Sequence, residues 1–288
     1  MTLLYCITQT SKQGLHQHLA RKSRLRLEEL DIIRQADRIR RRHPQMGCRQ
    51  MYQLMRPVEL GRDRCERVLL ASGFRVVRNT NFIRTTNSQP FRQFKDLITG
   101  KVLSGINQVW QTDITYYLGK GGKVFYIVFI EDVYSRRIIG WCAHDHLRAE
   151  ANISCLKFAM KNRGHVCLAG LIHHSDRGSQ YGSIEYLKLL QHEGIKVSMS
   201  KQAWQNAYVE RLNGTIKNSY LYNWDLDTLP VLRKALTTAV TAYNVEKPHK
   251  NLPMQMSPID FENSLKKGVI NVKVKIYDHL EKNVLKYG

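Results

Sequence analysis

The stretch Gln108-Val-Trp-Gln-Thr-Asp-Ile-Thr-Tyr-Tyr117 predicts a buried β-strand, because aromatic and β-branched residues dominate it. One acid, Asp113, stands in its middle. A buried carboxylate is unfavourable unless a partner satisfies it, so we interpret this strand as the support of a functional acid. The alternative is a structural acid whose partners are the hydroxyl groups of Thr112 and Thr115.

Two further acids extend this interpretation. Asp176 follows an apolar run and precedes a turn, which places it at the C-terminal end of a predicted strand. Glu210 lies on a predicted helix and shares one face with Asn206, Asn213 and Lys217. Three acids from three elements suggest a Mg²⁺ site, since this ion prefers carboxylate and phosphate oxygens. Two such ions would support an in-line displacement at phosphorus.

These acids also have structural interpretations. Asp176 has the alternative role of a helix N-cap, and Glu210 that of a solvated helical acid. Glu131 and Asp132 are rival ligands, although the turn that follows them favours a structural role.

The residues before Asp176 suggest two other kinds of site. His173 and His174 resemble zinc ligands, but neighbouring strand residues point to opposite faces, so we expect one of them in the core. A nucleophilic triad is the less favoured alternative, because Ser175 lacks a glycine-flanked elbow.

The chain is strongly basic, with 45 Lys and Arg against 24 Asp and Glu among 288 residues and a net charge of +21. Residues 1–106 hold 21 of these bases and only 8 of the acids. Such an excess indicates a polyanionic partner, and the alternative is a charge that serves solubility alone.

The N-terminal region 1–78 predicts short helices separated by tight turns. The helices are predicted at 11–21, 24–42, 48–55 and 62–72. This pattern is typical of helix-turn-helix DNA-binding proteins and equally of a helical bundle with a solvated basic face. The basic run Arg38-Ile-Arg-Arg-Arg42 favours contact with phosphates.

Residues 79–106 predict a linker that contacts a binding partner along its length. The chain after this linker predicts a mixed α/β domain. Strands at 109–117, 124–130 and 138–143 are typical of an antiparallel meander. Helices and strands then alternate, which adds strands in parallel and gives a mixed sheet with flanking helices. The predicted elements are helix 149–162, strand 168–173, helix 183–192, strand 195–199, helix 203–220 and helix 228–243.

The six cysteines form neither a C-x-x-C pair nor a zinc-binding spacing, so we expect reduced thiols. No signal peptide and no apolar run of membrane-spanning length is found. We therefore expect a soluble cytoplasmic protein that has no membrane partner.

Five ordered motifs resemble the integrase core of bacterial insertion-sequence transposases. The closest resemblance is to the catalytic, second-reading-frame proteins of the insertion sequence three family, which are related to retroviral integrases. The resemblance covers about 107–261 and, more weakly, the helix-turn-helix region around His43-Pro-Gln-Met-Gly-Cys-Arg-Gln50. The motifs are Trp110-Gln-Thr-Asp-Ile-Thr-Tyr116, Tyr134 to Trp141, His174 to Tyr181, Gln205 to Gly214, and Tyr243 to His249.

The resemblance implies a bacterial protein that is nucleoid-associated when bound to DNA, together with a fold and a set of site residues. It implies a ribonuclease-H-like catalytic core at 107–225, preceded by an all-α helix-turn-helix DNA-binding region at 1–78 and followed by a C-terminal helix and basic tail at 226–288. Asp113, Asp176 and Glu210 would be the catalytic acids and the ligands of two Mg²⁺ or Mn²⁺ ions. The residues expected to contact DNA are Lys217, Arg211 and Asn206 in the core and Arg38, Arg40, Arg41, Arg42 and Arg49 in the N-terminal region.

The sequence departs from the family pattern in one place. Thirty-three residues separate Asp176 from Glu210, slightly fewer than is usual, and the shortening falls between Ser200 and Trp204. This affects the expected shape of the loop more than the assignment of Glu210, because no other acid occurs from 195 to 223. The histidine-cysteine zinc module of retroviral integrases has no match in this chain.

The function that we expect is DNA transposition, in which one strand is cleaved at an element end and the freed 3′-hydroxyl attacks another phosphodiester. The partners would be double-stranded DNA at element ends and target, at least one further copy of the chain, and an upstream-frame protein or fusion. One alternative is a non-catalytic DNA-binding protein. Another is a ribonuclease-H-type nuclease acting on RNA–DNA hybrids, which would not need the N-terminal helices.

Overall fold

The computed structural model describes residues 11–76, 94–119, 122–164, 166–201 and 203–276. The chain divides into two units, Met1–Arg78 and Asn79–Gly288. The division falls at the predicted end of the helical region.

The first unit contains three helices, α1 (Lys12–Arg42), α2 (Cys48–Met55) and α3 (Arg62–Ala71). The prediction of two separate helices at 11–21 and 24–42 is wrong, because the chain forms one continuous helix there. No Gly or Pro interrupts residues 15–42, and the Ser11 side chain caps the start by accepting from Gly14 N at 3.0 Å. The helices enclose a small apolar core that includes Ile32, Ala36, Met51, Cys65 and Leu69.

The second unit begins, within its described part, with residues 94–106. The prediction of a linker at 79–106 is wrong over these residues, because Ile98 and Leu103 are buried in this unit. Residues 79–93 of the predicted linker lie outside the described part of the chain. The segment contains a short strand, β1 (Val102–Leu103).

A five-stranded sheet forms the centre of the second unit. Its strands are β2 (Val109–Leu118), β3 (Val124–Asp132), β4 (Ile138–His144), β5 (Ile172–Ser175) and β6 (Lys196–Met199). The spatial order is β4-β3-β2-β5-β6, with β2 to β4 antiparallel and the last two strands parallel to β2. This meander with two parallel additions is the ribonuclease-H-like sheet, and the predicted fold class is confirmed.

One face of the sheet is covered by two helices, α4 (Ala149–Asn162) and α5 (Ile184–His192). They pack against an apolar layer that includes Trp110, Val128 and Ile130. All three of these strand residues are even-numbered, as expected when side chains alternate along each strand.

The opposite face is covered by α6 (Ala207–Ser219) and α7 (Leu229–Val245). Its apolar layer includes Tyr117 of β2 and Phe125 and Ile127 of β3. The odd-numbered residues of β2, Asp113 among them, therefore face α6.

Two elements of the second unit begin more than two residues after their predicted start, whereas the other boundaries agree within about two residues. The strand predicted at 168–173 begins only at Ile172, because a turn with Gly170 at a φ of +85° precedes it. Leu168 and Leu171 lie outside the strand but are buried, which explains why they are apolar. The helix predicted at 203–220 is a 3-10 helix over Ala203–Asn206 followed by α6.

The predicted basic tail contributes further elements to the second unit. Within it lie helix α8 (Pro258–Lys266) and strand β7 (Val274–Lys275). Strand β7 pairs with β1 in an antiparallel two-stranded sheet. Segments on both sides of the predicted core therefore belong to its fold.

A buried ion-pair network joins the β3–β4 turn to the end of α4 and to α8. Arg163 contacts Asp132 at 2.9 Å and Glu262 at 2.8 Å, and all three side chains are at most 4% exposed. Glu262 also pairs with Arg137 at 2.7 Å and accepts from the Ser135 hydroxyl at 2.7 Å. Asp132 further accepts from the backbone N–H groups of Asn107, Tyr134 and Ser135. The structural role predicted for Asp132 is confirmed.

No helix within the described ranges combines the length and the apolarity that a bilayer crossing requires.

Replacing Glu262 by Ala removes the carboxylate that Arg163 and Arg137 share. We expect the free energy of unfolding to fall by roughly 2–3 kcal/mol, because the buried Arg163 keeps Asp132 but loses its second carboxylate partner. Chemical denaturation of both proteins measures this change. Glu193→Ala, which removes an acid from a largely exposed pair with His192, is the control and should change stability by less than about 0.5 kcal/mol. Equal losses in the two variants would contradict the network.

Candidate active site

Asp113 lies on β2 and faces α6, where the Asn213 side chain donates to its Oδ2 at 2.7 Å. Burial raises the pKa of Asp113 well above its usual value, and the charges of Asp176 and Glu210 raise it further. Lys217 acts in the opposite direction, and its ammonium group lies 5.2 Å from the centre of the Tyr116 ring. The alternative of a purely structural Asp113 is not favoured, because its neighbours include two other acids.

Asp176 directly follows β5. Its Oδ1 accepts from Gly178 N at 2.9 Å, and burial raises its pKa although this hydrogen bond lowers it. A side chain at Gly178 would place its Cβ 3.0 Å from that carboxylate oxygen, so glycine permits the close approach. Asp176 is not a helix N-cap, since Gly178 caps the following 3-10 helix Ser179–Gly182.

Glu210 lies in the first turn of α6 and is more exposed than the two aspartates. Partial burial raises its pKa, and the charge of Asp176 adds to the effect. The helix N-terminus carries a partial positive charge, which favours an acid at this position.

Asp113 lies on β2 and Asp176 directly after β5, two neighbouring strands that pair in parallel. The charges of Asp176 and Glu210 raise the pKa of Asp113, and the charge of Asp176 raises the pKa of Glu210. Within the described part of the chain, however, no three His, Cys, Asp or Glu side chains are grouped closely enough to hold a metal ion. Neighbouring carboxylates repel one another, which opposes closer packing of the acids alone. Their hard oxygen donors fit Mg²⁺ or Mn²⁺ by chemistry.

The rival residues are buried. Glu131 is 2% exposed, and burial raises its pKa to about 7 against the opposing charge of Arg136. His173 and His174 are both buried and contact the hydroxyl groups of Tyr186 at 2.6 Å and Ser198 at 2.8 Å. The expectation that one of them lies in the core is confirmed, and the second is buried as well.

The expected DNA contacts of the core differ in exposure. Arg211 is exposed and Lys217 is partly buried. Asn206 is 1% exposed and donates to Thr112 O at 3.3 Å, so its amide is committed to β2 and is not presented to a ligand in this structure.

The N-terminal arginines also divide into two groups. Arg38, Arg41 and Arg42 are exposed. Arg40 donates to Pro44 O at 2.6 Å and to Phe74 O at 2.8 Å, which commits its guanidinium to the fold. Arg49 is exposed and pairs with Glu66 at 2.9 Å.

Gln111 is a site residue that the sequence interpretation missed. It is fully buried on β2, two residues before Asp113 and on the same face, and it contacts the segment that leads into Glu210. Its signal in the sequence is a polar side chain at a strand position that period-two alternation places beside the acid.

Comparison with known proteins identifies the family. Two family models described as an integrase core domain match residues 104–203 and 193–256. The insertion element IS600 31 kDa protein of Shigella sonnei is 31% identical over 70% of this chain and 75% of its own length. The chain belongs to the insertion sequence three family of transposases. These are polynucleotidyl transferases with an integrase core domain.

Two further similarities are more limited in coverage or likeness. Transposase InsF for insertion sequence IS3A of Escherichia coli is 30% identical over 56% of this transposase and 55% of its own length. The structure of the HTLV-2 integrase catalytic core domain in complex with magnesium covers 58% of this chain and 99% of its own, at 21% identity and a TM-score of 0.44.

Replacing Asp113 by Asn should stabilise the metal-free protein at alkaline pH. The pKa of Asp113 is higher in the folded than in the unfolded chain, so wild-type stability falls as the pH rises through that interval. We expect a gain of roughly 1 kcal/mol at about pH 8 that vanishes near pH 4. Denaturation in EDTA measures it, with Glu185→Gln, an exposed acid, as the control. Equal stability of wild type and Asp113→Asn at pH 8 would count against the burial of this charge.

Proposed function

We propose that this transposase cleaves DNA at the ends of an insertion sequence and joins the freed 3′-hydroxyl to target DNA. The observation that supports the proposal is that Asp113 lies on β2 and Asp176 directly after the paired strand β5, while the helix of Glu210 bonds Asp113 through Asn213. A strongly basic chain around such a site suits a polyanionic substrate.

Asp113, Asp176 and Glu210 would hold two Mg²⁺ or Mn²⁺ ions, which supply Lewis-acid stabilisation of the charge on the attacking and leaving oxygens. Asn213 holds Asp113 in place through its amide donor. Lys217 and Arg211 would bind phosphates beside the scissile bond, since both lie on the helix that carries Glu210.

The N-terminal unit would supply sequence-specific binding of the element ends. Its three helices and the exposed arginines Arg38, Arg41 and Arg42 support this role. Two ends must be brought together during transposition, so we infer that at least two copies act on the DNA, with an upstream-frame product as a further candidate partner.

Glu210→Gln should abolish cleavage and leave DNA binding intact. We expect the Mg²⁺-dependent rate on duplex DNA bearing the terminal repeats beside the gene to fall at least about 100-fold. A gel assay of strand cleavage measures the rate, and fluorescence anisotropy measures binding. Glu185→Gln is the matched control, because it neutralises an exposed acid at another helix start.

The same assay separates the alternatives. Cleavage of an RNA–DNA hybrid in preference to the duplex would indicate a ribonuclease-H-type nuclease. Wild-type protein that binds the duplex but cleaves neither substrate would indicate a non-catalytic DNA-binding protein. A Glu210→Gln variant as active as wild type would remove Glu210 from the mechanism.

Arg41→Ala and Arg40→Ala should affect different properties. Arg41 is exposed, so its loss should weaken DNA binding and lower the slope of log affinity against log salt by about one. Arg40 bonds two backbone carbonyls, so its loss should lower the thermal stability of the N-terminal unit. Anisotropy titrations at several salt concentrations and thermal unfolding measure the two effects. An unchanged salt slope in Arg41→Ala would contradict its phosphate contact.

A further inference from the structure

The helix that carries Glu210 begins without a side-chain cap from its own N-cap residue. Asn206 occupies that position, but its amide donates to Thr112 O and makes no cap bond. The first N–H groups of a helix have no partner within the helix and need acceptors from elsewhere. For Val209 N, the acceptor is the side-chain oxygen of Gln111 on β2, at 3.4 Å.

The amide nitrogen of the same Gln111 side chain bonds the turn that precedes the helix. Its Nε2 donates to Gln205 O at 3.1 Å. Gln111 is fully buried, so water does not replace these bonds, and it lies two residues before Asp113 on the same face of β2. One amide thus spans the gap between the strand of Asp113 and the first turn of the helix of Glu210.

The turn that Gln111 holds is anchored on its far side as well. The Gln205 side chain donates to Asp96 and, at 3.3 Å, to the Thr99 hydroxyl, while its oxygen accepts from Lys201 N. Asp96 is fixed in turn by the backbone N–H groups of Ile98 and Thr99. The turn that leads into the helix of Glu210 is therefore held by β2 on one side and by residues 96–99 on the other.

We propose that Gln111 is a positioning residue, which caps α6 from the neighbouring strand and thereby sets the separation of Glu210 from Asp113. This inference rests on the proposed function, because the separation matters for catalysis only if both acids hold the metal ions. If the first turn of the helix frays, Glu210 is displaced. A small displacement of a group at the reacting centre can lower the reaction rate by a large factor. Mutation of a residue that orients the metal ligands typically lowers metal affinity or activity by roughly 10- to 100-fold.

Gln111→Met tests the proposal, since methionine has a similar length and makes neither bond. We expect a Mn²⁺ affinity roughly 10- to 100-fold weaker by calorimetry, a similar fall in kcat, and a nearly unchanged KM for DNA. The amide protons of Val209 and Glu210 should exchange faster, which hydrogen exchange measured by NMR detects without metal or DNA. If Gln111→Met does not fold, Gln111→Asn, which keeps an amide that is one methylene shorter, should show the same changes.

Asn244→Leu is the matched control. The Asn244 amide is also buried and also makes two bonds between a helix and a strand, to the N–H and the carbonyl of Ile138, but away from the three acids. It should lower stability and leave Mn²⁺ affinity and α6 exchange unchanged. The proposal would be overturned if Gln111→Met had the same amide exchange rates and Mn²⁺ affinity as the wild type. It would also be overturned if Asn244→Leu changed both quantities as much as Gln111→Met does. If wild type itself neither binds Mn²⁺ nor cleaves DNA, the proposed function fails, and exchange at Val209 alone still decides whether Gln111 caps α6.

Discussion

The electrostatic repulsion among the carboxylates of Asp113, Asp176 and Glu210 is the main constraint on the second unit. Burial and proximity raise the pKa of Asp113, so the fold holds this acid in a place that is unfavourable for its charge. The surrounding groups reduce that cost in part: Asn213 donates a hydrogen bond, and Lys217 adds a positive charge. A bound cation would offset the remaining cost, in line with the role proposed above for Mg²⁺ or Mn²⁺.

The sequence predicts the parts of this arrangement that depend on local pattern. Alternation along 108–117 identifies the strand and places Asp113 on one face, and helical spacing groups Asn213 and Lys217 with Glu210. The position of Asp176 after a strand also follows from its apolar run. The distances between the acids depend on strand pairing over long sequence separations, which periodicity does not contain. The types of the three residues and the family resemblance predict a shared metal site but not these distances.

The errors have physical causes that a single sequence does not display. Leu168 and Leu171 are apolar because they are buried, and burial alone does not distinguish a turn from a strand. Residues 94–106 lack a period, yet Ile98 and Leu103 pack into the core of the second unit. Arg40 and Arg41 are neighbours of identical chemistry, and only tertiary contacts assign one to the fold and leave the other exposed.

The pairing of β1 with β7 and the contact of Glu262 with Arg163 have a consequence for synthesis on the ribosome. All three acids are translated before residue 211, but the segments that complete the core follow much later. A chain released early would carry Asp113, Asp176 and Glu210 and still leave Arg163 without Glu262 and β1 without its partner. The fold around the three acids is therefore complete only when residues 258–275 are present.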